Sequence, residues 1–237
     1  KSDDPHAFLA IFDVVFLIDD SGSMGWAGRW AEAGKALETI APICTKYDAD
    51  GIDIHFLNKR DEDRFKNVES AQTVHEILTT VRPEGLTPTA SRINDILKPY
   101  VRKFEEAVKK SRVKVDDTGI KPLILIVLTD GQPAERPDLG KTIKNLAGRL
   151  DEADAPSHQV GITFFQVGDD IDATAALKKL DDEIEGVRDM VDTATFDTYA
   201  EKAGEKGVKT LALSADGILK VFLSSYLIVV EALILSW

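Results

Sequence analysis

Asp19, Ser21 and Ser23 alternate along FLIDDSGSMG, the stretch from Phe16 to Gly25. An apolar run ends abruptly in two aspartates, and a Ser-Gly-Ser-Met turn follows. A tight loop with this spacing can turn one carboxylate and two hydroxyls towards one point. Four chemistries compete for such a set: a metal site, a nucleophilic serine, a phosphate cradle, or a polar turn with a helix cap. Hard oxygen donors suit a divalent cation such as Mg²⁺ or Mn²⁺, which prefers six oxygens and usually keeps waters. In this reading Gly22 lets the loop bend and Gly25 relieves crowding where a helix begins.

Two more segments weigh on that choice. EGLTPTAS places Thr87 and Thr89 just before a helix, and LIVLTDGQP places Asp130 at the end of a strand expected to neighbour the first. A serine hydrolase needs G-x-S-x-G at a strand–helix elbow, and the first glycine is missing around both Ser21 and Ser23. His6, His55, His75 and His158 lie in different segments and read as surface or packing residues. LGKT at Leu139–Thr142 resembles a phosphate loop, but Glu135 stands where that motif requires glycine. No catalytic residue is assigned, because no general base accompanies the donors.

The elements that must hold these residues alternate between two periods. DVVFLID (Asp13–Asp19) and PLILIVLT (Pro122–Thr129) are near-continuous apolar runs, the pattern of strands covered on both faces. GIDIHFLN (Gly51–Asn58) and VGITFFQV (Val160–Val167) read as further strands, with short candidates at Arg64–Val68 and Met190–Thr193. Helices are expected at Trp26–Tyr47, Thr73–Thr80, Ser91–Lys110, Lys141–Glu152 and Ala173–Ile184, and KKSRVKVDDTG reads as a polar connection. This alternation predicts an α/β fold: a doubly wound, mostly parallel sheet flanked by helices on both faces, with ligands at the carboxyl ends of its strands. No linker or repeat divides the chain, so residues 1–237 are expected to form one domain, with a core at about 13–216.

The segment Gly217–Trp237 is strongly apolar and is expected to form a final helix packed on the sheet or offered for self-association. Lys220 and Glu231 interrupt it, which argues against a membrane anchor of about 20 apolar residues. The net charge of −12 argues against a nucleic-acid partner, and the single Cys44 excludes an intrachain disulfide or a cysteine-based zinc site. With no Asn-x-Ser/Thr acceptor, this predicts a cytoplasmic or otherwise intracellular protein. The first residue is Lys1 rather than Met, as in a fragment or processed product, and no targeting signal is read from it.

D-x-S-x-S, then G-x-T-x-T before a helix, then T-D-G after an apolar strand resembles the von Willebrand factor type A domain. SGSMGW, FLN and DGILKV resemble intracellular fungal members in particular. The resemblance implies a Rossmann-like fold and a complete metal-ion-dependent adhesion site. Carried over by position, its ligands are Asp19, Ser21, Ser23, Thr87 and Asp130. It also implies Mg²⁺, with Mn²⁺ or Ca²⁺ as substitutes, and a protein partner supplying an Asp or Glu carboxylate. The expected function is therefore a metal-dependent protein-binding module rather than an enzyme. A metal-stabilised structural domain is the alternative, and a metal-assisted hydrolase comes third. Asp20 is expected either to orient the loop or bond to backbone, or to be a solvated acid or cap, and the second reading is favoured. Trp26, Gln132 and Pro133 are placed around the rim, with Trp26 packing under the loop.

Overall fold

A computed structural model describes residues 7–47, 51–110, 118–131, 137–184 and 188–194. His6, Gln132, Pro133 and the apolar segment 217–237 lie outside the described residues. Five strands form one sheet: β1 (Asp13–Ile18), β2 (Asp53–Phe56), β3 (Leu123–Thr129), β4 (Val160–Gln166) and β5 (Val191–Ala194). Their order is β2-β1-β3-β4-β5, and every pairing is parallel. Helices α1 (Arg29–Tyr47), α2 (Ala71–Thr80), α3 (Thr89–Lys110), α4 (Leu139–Glu152) and α5 (Ile171–Glu183) connect them.

The apolar runs are explained by burial on both faces. Val14, Phe16 and Ile18 of β1 share one core with Ala33, Leu37 and Ile40 of α1 and Val74 and Ile77 of α2. The alternate residues Val15 and Leu17 share the second core with Ile93 and Leu97 of α3, Ile143 of α4 and Leu177 of α5. The period of two thus assigns successive side chains to opposite layers, both closed by helices. Pro42 and Pro99 lie inside α1 and α3. Each removes one backbone donor, but buried residues on both sides (Ile40 and Cys44, Leu97 and Val101) keep the helix seated on the sheet.

One expected element differs. Residues 64–68 do not form a strand: Asp63–Phe65 is a 3₁₀ turn, and only Val68 pairs, through an antiparallel bridge to Ile52. Phe65 is buried edge-on against Phe56, with ring centroids 5.4 Å apart, so its side chain is spent on packing rather than on an extended run.

The chain passes from β1 outward to β2 and then crosses to β3 on the other side of β1. The order therefore reverses between β1 and β3, where neighbouring carboxyl ends splay their loops apart and leave a crevice. Ile18 is registered with Leu128, so the loops after both strands begin at the same level.

Candidate functional site

Asp19 follows β1 directly, and its backbone N–H donates to the Leu128 carbonyl at 2.8 Å. Its carboxylate is fully buried. Oδ1 accepts the Ser21 backbone N–H at 2.8 Å, and Oδ2 accepts the Thr129 hydroxyl at 2.7 Å. Burial pushes the Asp19 carboxyl up; the bonds from Ser21 and Thr129 oppose this, and the charge of Asp130 adds to it. The Ser21 and Ser23 hydroxyls lie 3.2 Å apart, and the Ser23 hydroxyl donates to Asp130 Oδ1 at 2.9 Å. Four of the five expected ligands, Asp19, Ser21, Ser23 and Asp130, thus form one chain of contacts across the β1–β3 crevice.

Thr87 arrives by a different route. The loop between α2 and α3 is stitched to the first loop by backbone bonds, from Gly22 N–H to the Gly85 carbonyl at 3.3 Å and from Glu84 N–H to the Asp20 carbonyl at 2.7 Å. Thr87 is half-buried in that loop, and its carbonyl accepts the N–H of Thr89 at the start of α3. Among the described residues no hydrogen bond joins its hydroxyl to the other four.

Among the described residues, no group of three or more His, Cys, Asp and Glu side chains could hold a metal ion. The donor set here is two carboxylates and hydroxyls, not a carboxylate or imidazole cage. His55 pairs with Asp61 and His75 with Glu38, both at 2.8 Å, rather than with these donors.

The von Willebrand factor type A domain matches residues 13–201. The chain belongs to this family. No curated protein matches it. Von Willebrand factor type A domains generally serve as protein-interaction modules, and the described sheet with its helices fits their Rossmann-like architecture. No described helix is long and apolar enough to cross a membrane.

Within this type A domain several local expectations are corrected. Asp20 is not the solvated acid favoured for it but is 1% exposed and bonds to backbone, the other reading. It accepts the backbone N–H groups of Asn58 at 2.7 Å and Lys59 at 2.9 Å, and Asn58 Nδ2 at 3.2 Å. Asn58 Nδ2 also donates to the Leu86 carbonyl at 2.8 Å, so Asp20 clamps the loop after β2 to the loop that carries Thr87. Gly85 takes φ +91° there, and a Cβ would meet Asn58 Oδ1 at 2.7 Å, so only glycine fits.

Gly22 and Gly25 have room for a Cβ, and the first loop turns instead at Ala27 and Gly28, with φ +51° and +76°. That turn leaves Trp26 73% exposed on the rim, while Met24 fills the buried position beneath the loop.

Two partners of these donors, Thr129 and Arg29, are not among the expected site residues. Thr129 holds Asp19, and the only hint was its place in T-D-G. Arg29 holds Asp130: its Nη1 donates to Oδ2 at 2.6 Å. A cation at the first position of a helix opposes the helix dipole, which was the available signal that Arg29 has an acidic partner elsewhere.

Proposed function

We propose that the type A domain binds a protein partner through a divalent cation, Mg²⁺ by preference and Mn²⁺ or Ca²⁺ in its place, held by Asp19, Ser21, Ser23, Thr87 and Asp130. The observation that carries this reading is the continuous contact chain from Asp19 through Ser21 and Ser23 to Asp130 at the β1–β3 crevice. The donor chemistry fits a hard cation, because every group offered is an oxygen. The buried carboxylates also favour positive charge nearby, since burial above all, and then the charge of Asp130, push the Asp19 carboxyl up. When bound, such an ion supplies a Lewis-acidic position that can take a carboxylate oxygen from the partner.

The residues of the chain provide the rest of the surface. Trp26, Leu86 and Ile171 are 73%, 78% and 82% exposed, on loops or a helix start beyond the carboxyl ends of the strands. Exposed apolar side chains around a polar centre are the anatomy of a protein-binding patch rather than of an enclosed substrate pocket. No hydrolytic role is proposed, because this reading uses Asp19 and Asp130 as ligands and, among the described residues, no separate base stands beside them. The purely structural alternative is disfavoured by the Arg29–Asp130 pair, which gives the site a counter-charge of its own.

Thermal unfolding of the wild type and Asp130→Ala in EDTA, then with Mg²⁺, Mn²⁺ or Ca²⁺ restored, tests the ion. A hundredfold excess of metal over Kd is expected to stabilise the wild type by about 2.7 kcal/mol, and the variant not at all. An unmoved wild-type midpoint at millimolar metal would overturn the reading. The partner is tested by its retention in Mg²⁺, its release by EDTA, and its loss from an Asp19→Ala chain.

A further inference from the structure

Arg29 is held in a slot that its surroundings shape. Its side chain is 17% exposed, and the Asp130 side chain it pairs with is fully buried. Its Nε is buried and has no hydrogen-bond partner among the described residues, an arrangement that costs free energy. Gly168, after β4, has φ +78°, and a Cβ there would stand 3.0 Å from Arg29 Nε. The loop therefore yields space to the guanidinium that any other residue would take.

The charges define what Arg29 does in that slot. Asp19 and Asp130 bring two negative charges to the crevice, and Arg29 returns one positive charge to Asp130 Oδ2 while Ser23 occupies Oδ1. Glu32 lies three residues along α1 and feels the Arg29 charge. Burial and Asp169 push its carboxyl up, while Arg29 pulls it down.

We propose that Arg29 is a tethered counter-ion that competes with the divalent cation for Asp130. This rests on the metal-dependent reading above. With Arg29 in place the two aspartates and the arginine sum to −1, so a doubly charged ion leaves the centre at +1 and attractive to a partner's carboxylate. Without Arg29 the two aspartates cancel the ion. Arg29 thus lowers metal affinity and keeps the occupied site electrophilic. It is a positioning residue for charge, not a ligand.

The test is Mg²⁺ titration calorimetry on the full chain as wild type, Arg29→Gln and Arg29→Lys, with melting curves in EDTA. Removing one positive charge from a partly screened site is expected to tighten Mg²⁺ binding about tenfold in Arg29→Gln. Arg29→Lys, which keeps the charge, is expected to stay within about threefold of wild type. In EDTA, Arg29→Gln is expected to melt below wild type, and Mg²⁺ to recover most of the deficit. Should Arg29→Gln fold poorly, Arg29→Met keeps the apolar stem and gives the same readout. A wild type that binds Mg²⁺ while Arg29→Gln binds it equally or more weakly overturns the counter-ion role alone. Absence of Mg²⁺ binding in every chain overturns the metal reading, and this proposal with it.

Discussion

The two ends of the sheet each bury a polar cluster, and the clusters differ in kind. At the amino ends of β3 and β4, the Tyr100 hydroxyl donates to the Lys121 carbonyl at 2.7 Å, and Gln159 Nε2 donates to the Tyr100 oxygen at 2.6 Å and to the Ile120 carbonyl at 3.2 Å. Every group named there is neutral, and the cluster closes on backbone. At the carboxyl ends, Asp19 and Asp130 are buried with hydroxyls between them, and among the described residues one guanidinium, that of Arg29, offsets their charge. A neutral cluster is complete once its hydrogen bonds are made. A buried anionic pair stays in want of a cation, and the proposal of a metal centre at this end and a structural lock at the other rests on that difference.

Asp20 breaks the simple version of that contrast, since it is an anion at the carboxyl end that behaves as a lock. Its carboxylate accepts three donors from Asn58 and Lys59, two of them backbone N–H groups. Asp20→Ala leaves those donors without their charged acceptor and is expected to cost about 3 kcal/mol, in EDTA and Mg²⁺ alike. Urea unfolding under both conditions measures it. A loss below about 1 kcal/mol would mean that water replaces the carboxylate and that the clamp on the Thr87 loop is weak.

That distinction between neighbouring aspartates also marks how far the sequence was legible. DVVFLI and LILIVLT announced buried strands because helices cover both faces, and the donors were visible because Asp, Ser and Thr stand at strand ends. Strand order was not encoded in any local pattern, although the apolar strand carrying Asp130 was expected beside the first. The segment 64–68 misled because Phe65 is apolar for the sake of one ring contact with Phe56, not for a period of two. Trp26 misled because hydropathy says nothing about the backbone turn at Ala27 and Gly28 that lifts it outward. Arg29 carried only a faint signal, a cation at a helix start, and nothing local named its partner, which lies 101 positions away.

Tyr100→Phe sharpens the comparison from the neutral side. It deletes the hydroxyl that links Gln159 to the Lys121 carbonyl, and the expected cost is about 1–2 kcal/mol, typical of one buried hydrogen-bonding group. The Mg²⁺-induced shift in melting midpoint is expected to equal that of wild type, because the cluster shares no charge with the crevice. A reduced shift would show that the two ends of the sheet are energetically coupled and that the separation drawn above is wrong.

The smallest effect is expected where a charged pair sits in neither cluster. Arg149 on α4 grips Glu105 on α3 with two hydrogen bonds, of 2.8 and 2.9 Å, the fork geometry that Arg29 does not achieve on Asp130 among the described residues. Better geometry does not mean greater stabilisation here, because the Glu105 and Arg149 side chains are 22% and 25% exposed and solvent screens them. The hydrogen bonds from Arg149 hold the Glu105 carboxyl below its ordinary value, against a smaller opposing effect of burial. A carboxylate whose folded value is depressed contributes stability above its unfolded value and loses it as pH falls through the folded one. Glu105→Gln is therefore expected to cost no more than about 0.5–1 kcal/mol at neutral pH, less in high salt, and nothing in acid. Urea unfolding of wild type and variant across that range measures the difference. A cost that persists in acid would assign the contact to packing along the α3–α4 seam rather than to charge.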